Sequence, residues 1–361
     1  MKSDYIMIKE NLKHKITFGT YRVNDKLPTE NELMRQFHKS RYAVRRALTE
    51  LQHEHLIYKV QGSGMYVQDW NKKWRANTES KTIGLICTHI ADYIFPQIIS
   101  QVDAVIYKEN YSLLLANTHN DPTRERLSLI KMLDSQVAGL IVEPSESAKP
   151  NPNLDIYQRI AQSQIPILFL NAEYPELDFP SIQNADAKAE KKLIRYVLSQ
   201  GHKRILGVFQ ADDRQGTHRM NGFIQAYQEA NADLSQSNII MYSSHDPFSV
   251  ISKKIDFYLN ADKRPTAIAC YNDELAVQVL DKLKQTGYNV PQDISLIGFD
   301  DYDSAYYLTP SLTTMHYDRR SVGEEAGRGI LSLIKGKPFN SIMHQPQLKI
   351  RRSVATPATE Q

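Results

Sequence analysis

LPTENELMRQFHKSRYAVRRALTELQHEHLIYKVQGSGMYV, residues 27–67, holds the densest local signals in the chain. Thr29 follows Pro28 and precedes Glu32 by three, a spacing that lets each side chain satisfy a backbone donor of the other and predicts a helix from about Glu30. Leu33 and Phe37 give that helix an apolar stripe. The stripe breaks at His38 and Lys39, and Ser40 is a good N-cap for a second helix. Val44, Leu48 and Leu51 form the buried face of the second helix, which leaves Arg41, Tyr42 and Arg45 exposed on its first turns. Leu56 to Val60 and Met65 to Val67 then read as short strands, joined by Gln61-Gly62-Ser63-Gly64, where glycine tolerates positive φ. Two helices and a glycine-tipped hairpin predict a winged helix-turn-helix of the α+β class. Such a unit offers its second helix to the major groove of double-stranded DNA, where Arg is the commonest reader of guanine. A small helical domain with a solvated basic face is the blander alternative, and it leaves the hairpin unexplained.

Outward from this stretch, charge is unevenly spread. The first 75 residues carry fifteen Lys and Arg against eight Asp and Glu, so a net +3 divides into +7 there and −4 on the rest. A basic front suits phosphate. The 361 residues allow two or three domains, and 41% apolar with 24% charged residues is ordinary globular composition. Cys87 and Cys270 stand inside apolar runs and read as buried thiols of a reducing compartment. No metal spacing is present. The sequence shows neither an apolar leader nor a span of about 20 apolar residues. A cytoplasmic protein with no membrane partner is expected.

Residues 69–81 are polar and aperiodic, and read as a connector between a domain at 1–68 and a body at 82–354. Within the body, strand-like runs alternate with helical patterns: Ile83 to Cys87, Ser112 to Ala116, Gly139 to Val142, Ile167 to Leu170, Ile205 to Phe209, Ala267 to Cys270 and Ser295 to Phe299. This alternation predicts an α/β body of two doubly wound parallel-sheet lobes, whose ligand sits beyond the carboxyl ends of the strands. The residues there are polar and aromatic: Asp92, Tyr93 and Phe95; His119, Asn120 and Asp121; Glu143; Asn171 and Glu173; Asp212 with Arg219; Asn272 and Asp273; Asp300 and Asp301. Carboxylates, amides and an Arg fork can bind several hydroxyls while aromatic faces cover a sugar ring. Taken singly, each reads more readily as a turn or cap residue, and it is their recurrence after successive strands that points to a ligand.

The head resembles the DNA-binding domain of the GntR family. The matching elements are Leu27 to Leu33, Ser40-Arg41, Val44-Arg45, Ala47-Leu48, Gln61-Gly62, Gly64 and Tyr66-Val67, with Tyr5 to Ile16 as leading helix. The resemblance implies that Arg41 and Arg45 meet bases or flanking phosphates, with Tyr5 and Tyr42 among the contacts. It places Glu30 and Ser40 at the DNA backbone or helix entrance, and Gln61 and Gly62 in the minor groove. The family commonly has glycine where His38 and His55 stand here.

The body resembles the LacI/GalR effector domain, itself similar to periplasmic binding proteins. The carriers are Lys81 to Ile86, Gly139 to Val142, Gly201 to Ile205, Arg219 to Phe223, Tyr271 to Ala276, Ile297 to Asp301 and Pro310 to Thr314. By this resemblance the effector residues are Arg219, Asn272 and Asp300, with Asn171 and Tyr317. The two types joined in one chain resemble the arabinose-responsive repressors of Gram-positive bacteria. Those carry a basic residue ahead of Tyr5, where this chain has Asp4; the phosphate contact is then absent or moves to Lys2.

The resemblance implies a homodimeric repressor that binds a near-palindromic operator and is released by a sugar effector, L-arabinose, with no cofactor. Activation, corepression by a purine, or another pentose or hexose remain open. An α/β enzyme with Glu143, Asp273 or His316 as acid or base is the rival from another class. Against it, the chain has no GxxxxGK, GxGxxG or GxSxG motif, and catalysis does not explain the basic head.

Overall fold

The computed structural model describes residues 4–17, 20–69, 80–91 and 93–358. Contacts divide the chain into two units, residues 1–80 with 129–137 and 153–165, and the remainder.

The N-terminal part runs α1 (Asp4–Thr17), α2 (Glu30–Phe37), α3 (Arg41–His53), β1 (Ile57–Val60) and β2 (Gly64–Val67). Its core collects one face of each helix: Ile8, Leu12 and Ile16 from α1, Leu33 from α2, and Val44, Leu48 and Leu51 from α3. The helix starts follow the local chemistry. Thr29 N–H donates to Glu32 Oε2 at 2.7 Å and Glu32 N–H returns to Thr29 Oγ1 at 3.4 Å. These bonds from Thr29 hold the exposed Glu32 carboxyl below its usual range. Ser40 Oγ accepts from Ala43 N–H. β1 and β2 pair antiparallel, Ile57 opposite Val67 and Val60 opposite Gly64. Gly62 turns the hairpin at φ +78° with open space around it, so glycine is required there for backbone conformation and not for room.

His38 and His55, which stand where the GntR pattern has glycine, both adopt left-handed φ, 51° and 54°. Each is a strained L-residue in a conformation that glycine adopts freely.

The second unit carries two sheets of parallel strands. In chain order follow β3 (Thr82–Cys87), α4 (Phe95–Tyr107), β4 (Ser112–Asn117), α5 (Pro122–Asp134), β5 (Gly139–Val142), α6 (Leu154–Gln162), β6 (Ile167–Leu170), β7 (Ser181–Asn184) and α7 (Asp186–Ser199), of which α6 and the end of α5 fall in the first unit. Then come β8 (Ile205–Gln210), α8 (Arg214–Glu229), β9 (Asn238–Tyr242), α9 (Phe248–Leu259), β10 (Ala267–Cys270), α10 (Asp273–Gln285), β11 (Ser295–Ile297), α11 (Asp303–Tyr307), β12 (Thr314–His316), α12 (Arg319–Ile334), β13 (Ile342–His344) and β14 (Gln347–Lys349). One sheet has the order β13-β7-β6-β5-β3-β4 and the other β11-β10-β8-β9. All seven expected strands are present, in two doubly wound lobes. The expected run Ser295 to Phe299 stops at Ile297. Strands β7, β9, β12, β13 and β14 were not anticipated: SIQN, IMH and QLK are too short and mixed to show a period, and their place comes from pairing with distant neighbours. Each lobe has its own core, around Leu85, Ile141 and Leu168 in the first and around Leu206, Ile268 and Phe223 in the second. Because α12 and β13 return to the first lobe and β14 then pairs with β12 beside the second, the chain crosses between the lobes repeatedly.

Candidate functional site

On the head, the exposed surface of α3 is a network rather than a row of free cations. Arg41 Nη2 donates to Asn31 Oδ1 at 2.9 Å, and Arg45 Nε to Glu30 Oε2 at 2.9 Å. Arg46, absent from the expected set, lies 3.9 Å above the Tyr5 ring and donates to its hydroxyl at 3.3 Å. Tyr42 is unencumbered at 72% exposure. Gln61 and Gly62 are exposed at the hairpin tip. Ser40 Oγ caps α3 while the residue stays exposed, and Asp4 pairs with Lys39 at 2.7 Å. Lys2 lies outside the described residues.

In the second unit a cavity of about 310 Å3 opens where the strands of both lobes end, within the range of small-molecule sites. Glu143, after β5, accepts from Thr88 N–H and Oγ1 at 2.9 and 2.7 Å through one oxygen, and from Asn171 Nδ2 at 2.7 Å through the other. Arg219, on α8, is 3% exposed and stacks 3.6 Å over the Phe299 ring. It donates to Asp186 Oδ1 at 2.8 Å, Tyr271 O at 2.7 Å and Asp300 Oδ1 at 3.2 Å. These bonds occupy three of the five guanidinium N–H groups. Burial opposes its charge, but Asp300 and Asp186 more than offset that, so Arg219 stays protonated. Asp300 Oδ2 accepts from Tyr93 at 2.6 Å. Burial, then the Asp300 charge, pushes the Tyr93 and Tyr317 phenols up, which keeps both as neutral donors.

The cavity brings together Tyr93, Phe95, Glu143, Asn171, Arg219, Asn272, Asp300 and Tyr317 of the expected set. Asn272 does two things, since its Oδ1 caps α10 by accepting Leu275 N–H at 2.9 Å while the residue lines the cavity. Asp273 is corrected. Fully buried behind the lining, it accepts from Thr314 Oγ1 and Tyr302 N–H, both at 2.8 Å, and both of its oxygens serve the fold. Gly298 makes room for it, because a Cβ there would stand 2.1 Å from Asp273 Oδ1. Asp92 lies outside the described residues.

Several lining residues were missed. His89 packs against Phe95 at 5.6 Å; it follows β3 directly, so the strand-end rule could have found it. Asp213 accepts from the Tyr271 hydroxyl and from Gly216 N–H, capping α8, and burial lifts its carboxyl to about 7. Asn184 ends the unforeseen β7, and its buried Oδ1 has no hydrogen-bond partner. Among the described residues no cluster could hold a metal ion, and no helix is long and apolar enough to cross a membrane.

The model of the bacterial regulatory proteins of the gntR family matches residues 4–67, and that of the periplasmic binding protein-like domain matches residues 194–354. Among curated proteins, the arabinose metabolism transcriptional repressor of Geobacillus stearothermophilus is 36% identical over 354 residues, 97% of each chain. The repressor of the same description from Halalkalibacterium halodurans is 32% identical over 370 residues, covering 100% of this chain and 99% of that one. A solved LacI family transcriptional regulator from Enterococcus faecium with bound ribose is 22% identical with a TM-score of 0.66, over 76% of this chain and 99% of that one, and shares the fold of the body. A GntR-type winged head joined to a LacI-type effector domain defines a sugar-responsive transcription regulator. The chain belongs to the family of arabinose metabolism transcriptional repressors.

Proposed function

We propose that the protein is a homodimeric, cytoplasmic repressor whose heads, residues 1–68, grip a near-palindromic operator and whose body, residues 82–354, releases it on binding L-arabinose. The observation that carries this reading is the Arg219–Asp300–Tyr93 group at the junction of two lobes, faced by Glu143 and Asn171. It supplies fixed donors and acceptors for several hydroxyls, with Phe95 and Tyr317 as apolar cover. In the head, Tyr5, Glu30, Ser40, Arg41, Tyr42, Arg45, Gln61 and Gly62 are the DNA-contacting set. Two-fold symmetry would set the recognition helices roughly 34 to 36 Å apart along DNA, or a multiple of that.

Release needs differential affinity. To turn a 1:99 equilibrium into 99:1, the sugar must prefer the released state by about 10⁴. Catalysis finds little support in the candidate acids: Glu143 is held by three donors and Asp273 is spent on the fold. The dimer reading is supported by β4, an edge strand carrying Leu114 and Leu115 at 36% and 38% exposure.

Calorimetric titration with L-arabinose, other pentoses, hexoses and purines tests the effector directly. L-arabinose should bind and dissociate the operator complex; a purine as the only ligand would overturn the assignment. Arg219→Ala should keep operator binding and lose induction.

A further inference from the structure

Asp300 is the carboxylate that joins Arg219 to Tyr93, yet it stands on backbone that an L-residue avoids. Its φ is 93°, and Asp301 follows at 52°, two consecutive non-glycine residues in the left-handed half of the map. Such geometry persists only where surrounding structure over-determines it. The restraint comes from outside the cavity. Arg319, 7% exposed at the start of α12, donates through Nη1 to both carbonyl oxygens, Asp300 O at 2.9 Å and Asp301 O at 2.8 Å. Its other nitrogens are equally committed. Nη2 donates to Asp303 Oδ1 at 2.8 Å and Nε to Gln97 Oε1 at 2.9 Å, and Gln97 Nε2 donates to Asp303 Oδ2 at 2.9 Å, which closes a ring.

The elements involved belong to different lobes. α12 and α4, which carry Arg319 and Gln97, pack in the first lobe through Ile98, Val102, Val322 and Ala326, whereas the Asp300–Asp303 turn leaves β11 in the second. We infer that Arg319 is a positioning residue for effector recognition: with Gln97 and Asp303 it clamps the Asp300–Asp301 turn across the lobe junction and so aims the Asp300 carboxylate into the cavity. The inference rests on the reading of that cavity as the sugar site. A planar fork of fixed donors suits this task and a single ammonium does not, because Lys cannot reach two carbonyls, an amide and a carboxylate at once.

The test is a double-mutant cycle on the full-length protein, read by calorimetry with L-arabinose and by operator binding without sugar. Arg319→Lys should weaken sugar binding about 10- to 100-fold, the scale of charge-assisted hydrogen bonds, and leave sugar-free operator affinity within about two-fold. In an Asp300→Asn background the same change should cost less than about three-fold, because the carboxylate it positions is already gone. Losses that simply multiply in the double variant, or wild-type affinity in Arg319→Lys, overturn the proposal. Should Arg319→Lys not fold, Gln97→Met removes only the outer contact and is expected to lower affinity about 3- to 10-fold, again only when Asp300 is present; no loss overturns the clamp. If wild type prefers another sugar of the panel, the cycle is run with that sugar, so a wrong effector leaves the clamp on trial. A wild type that binds no sugar overturns the cavity reading and the clamp with it.

Discussion

Arg45 is held by Glu30, both side chains being well exposed, so the pair contributes little stability and serves to fix the direction of the guanidinium. If Arg45 reads a base edge, Arg45→Ala should weaken operator binding by about 1–3 kcal/mol per head. Unchanged affinity in a mobility-shift titration would remove it from the recognition surface. A different residue-scale effect lies at Glu190 on α7, fully buried with neither oxygen hydrogen-bonded, where burial lifts the carboxyl to about 8. A carboxyl raised in the folded state binds its proton more tightly there than in the unfolded chain. Its contribution is therefore fully present below the unfolded value of 4.5 and is lost as pH climbs through about 8. Glu190→Gln does not titrate, so its melting temperature should gain on wild type between pH 5 and pH 9; an equal difference at both ends would show that Glu190 carries no such linkage.

At the level of elements, the helix-turn-helix owes its boundaries to side chains a few residues apart. The Thr29–Glu32 box opens α2, and Ser40 opens α3. The turn between them is the weak link. His38, exposed and left-handed, does there what glycine would do without strain. His38→Gly should stabilise the head by about 1 kcal/mol, seen as a rise in its unfolding midpoint, since relief of left-handed strain outweighs the added freedom of the unfolded chain. A lowered midpoint would mean that His38 makes a compensating contact. β4 poses the opposite case: a strand of a parallel sheet, normally covered on both faces, keeps two leucines exposed on its edge.

At the scale of the whole molecule, that edge bears on assembly. If β4 is the dimer surface, the double change Leu114→Lys and Leu115→Lys should shift sedimentation from dimer to monomer and weaken operator binding, because one head loses the benefit of its tethered partner. A variant that stays dimeric would move the interface elsewhere. The cavity between the strand ends is likewise a property of the whole body. It gathers residues from Thr88 to Tyr317, supplied by both lobes at the ends of their strands.

The head was legible from the amino-acid order because its decisive interactions are local: a cap three residues long, a four-residue apolar spacing, a glycine at a hairpin tip. The strand ends of the body were legible for a related reason. Parallel strands in doubly wound lobes bring their next residues to one end of the sheet, so Glu143 and Asp300 could be named as cavity candidates from strand ends, whereas Arg219, inside α8, was named from the family resemblance. Tertiary structure alone decided which of two adjacent polar residues faces the cavity. Asn272 lines it, whereas Asp273 turns inward to Thr314 and Tyr302, partners far along the chain. It alone decided the pairing of β7 and β13, and the grip of Arg319 on Asp300. These depend on residues tens to hundreds of positions apart, and no local period or cap records such a distance.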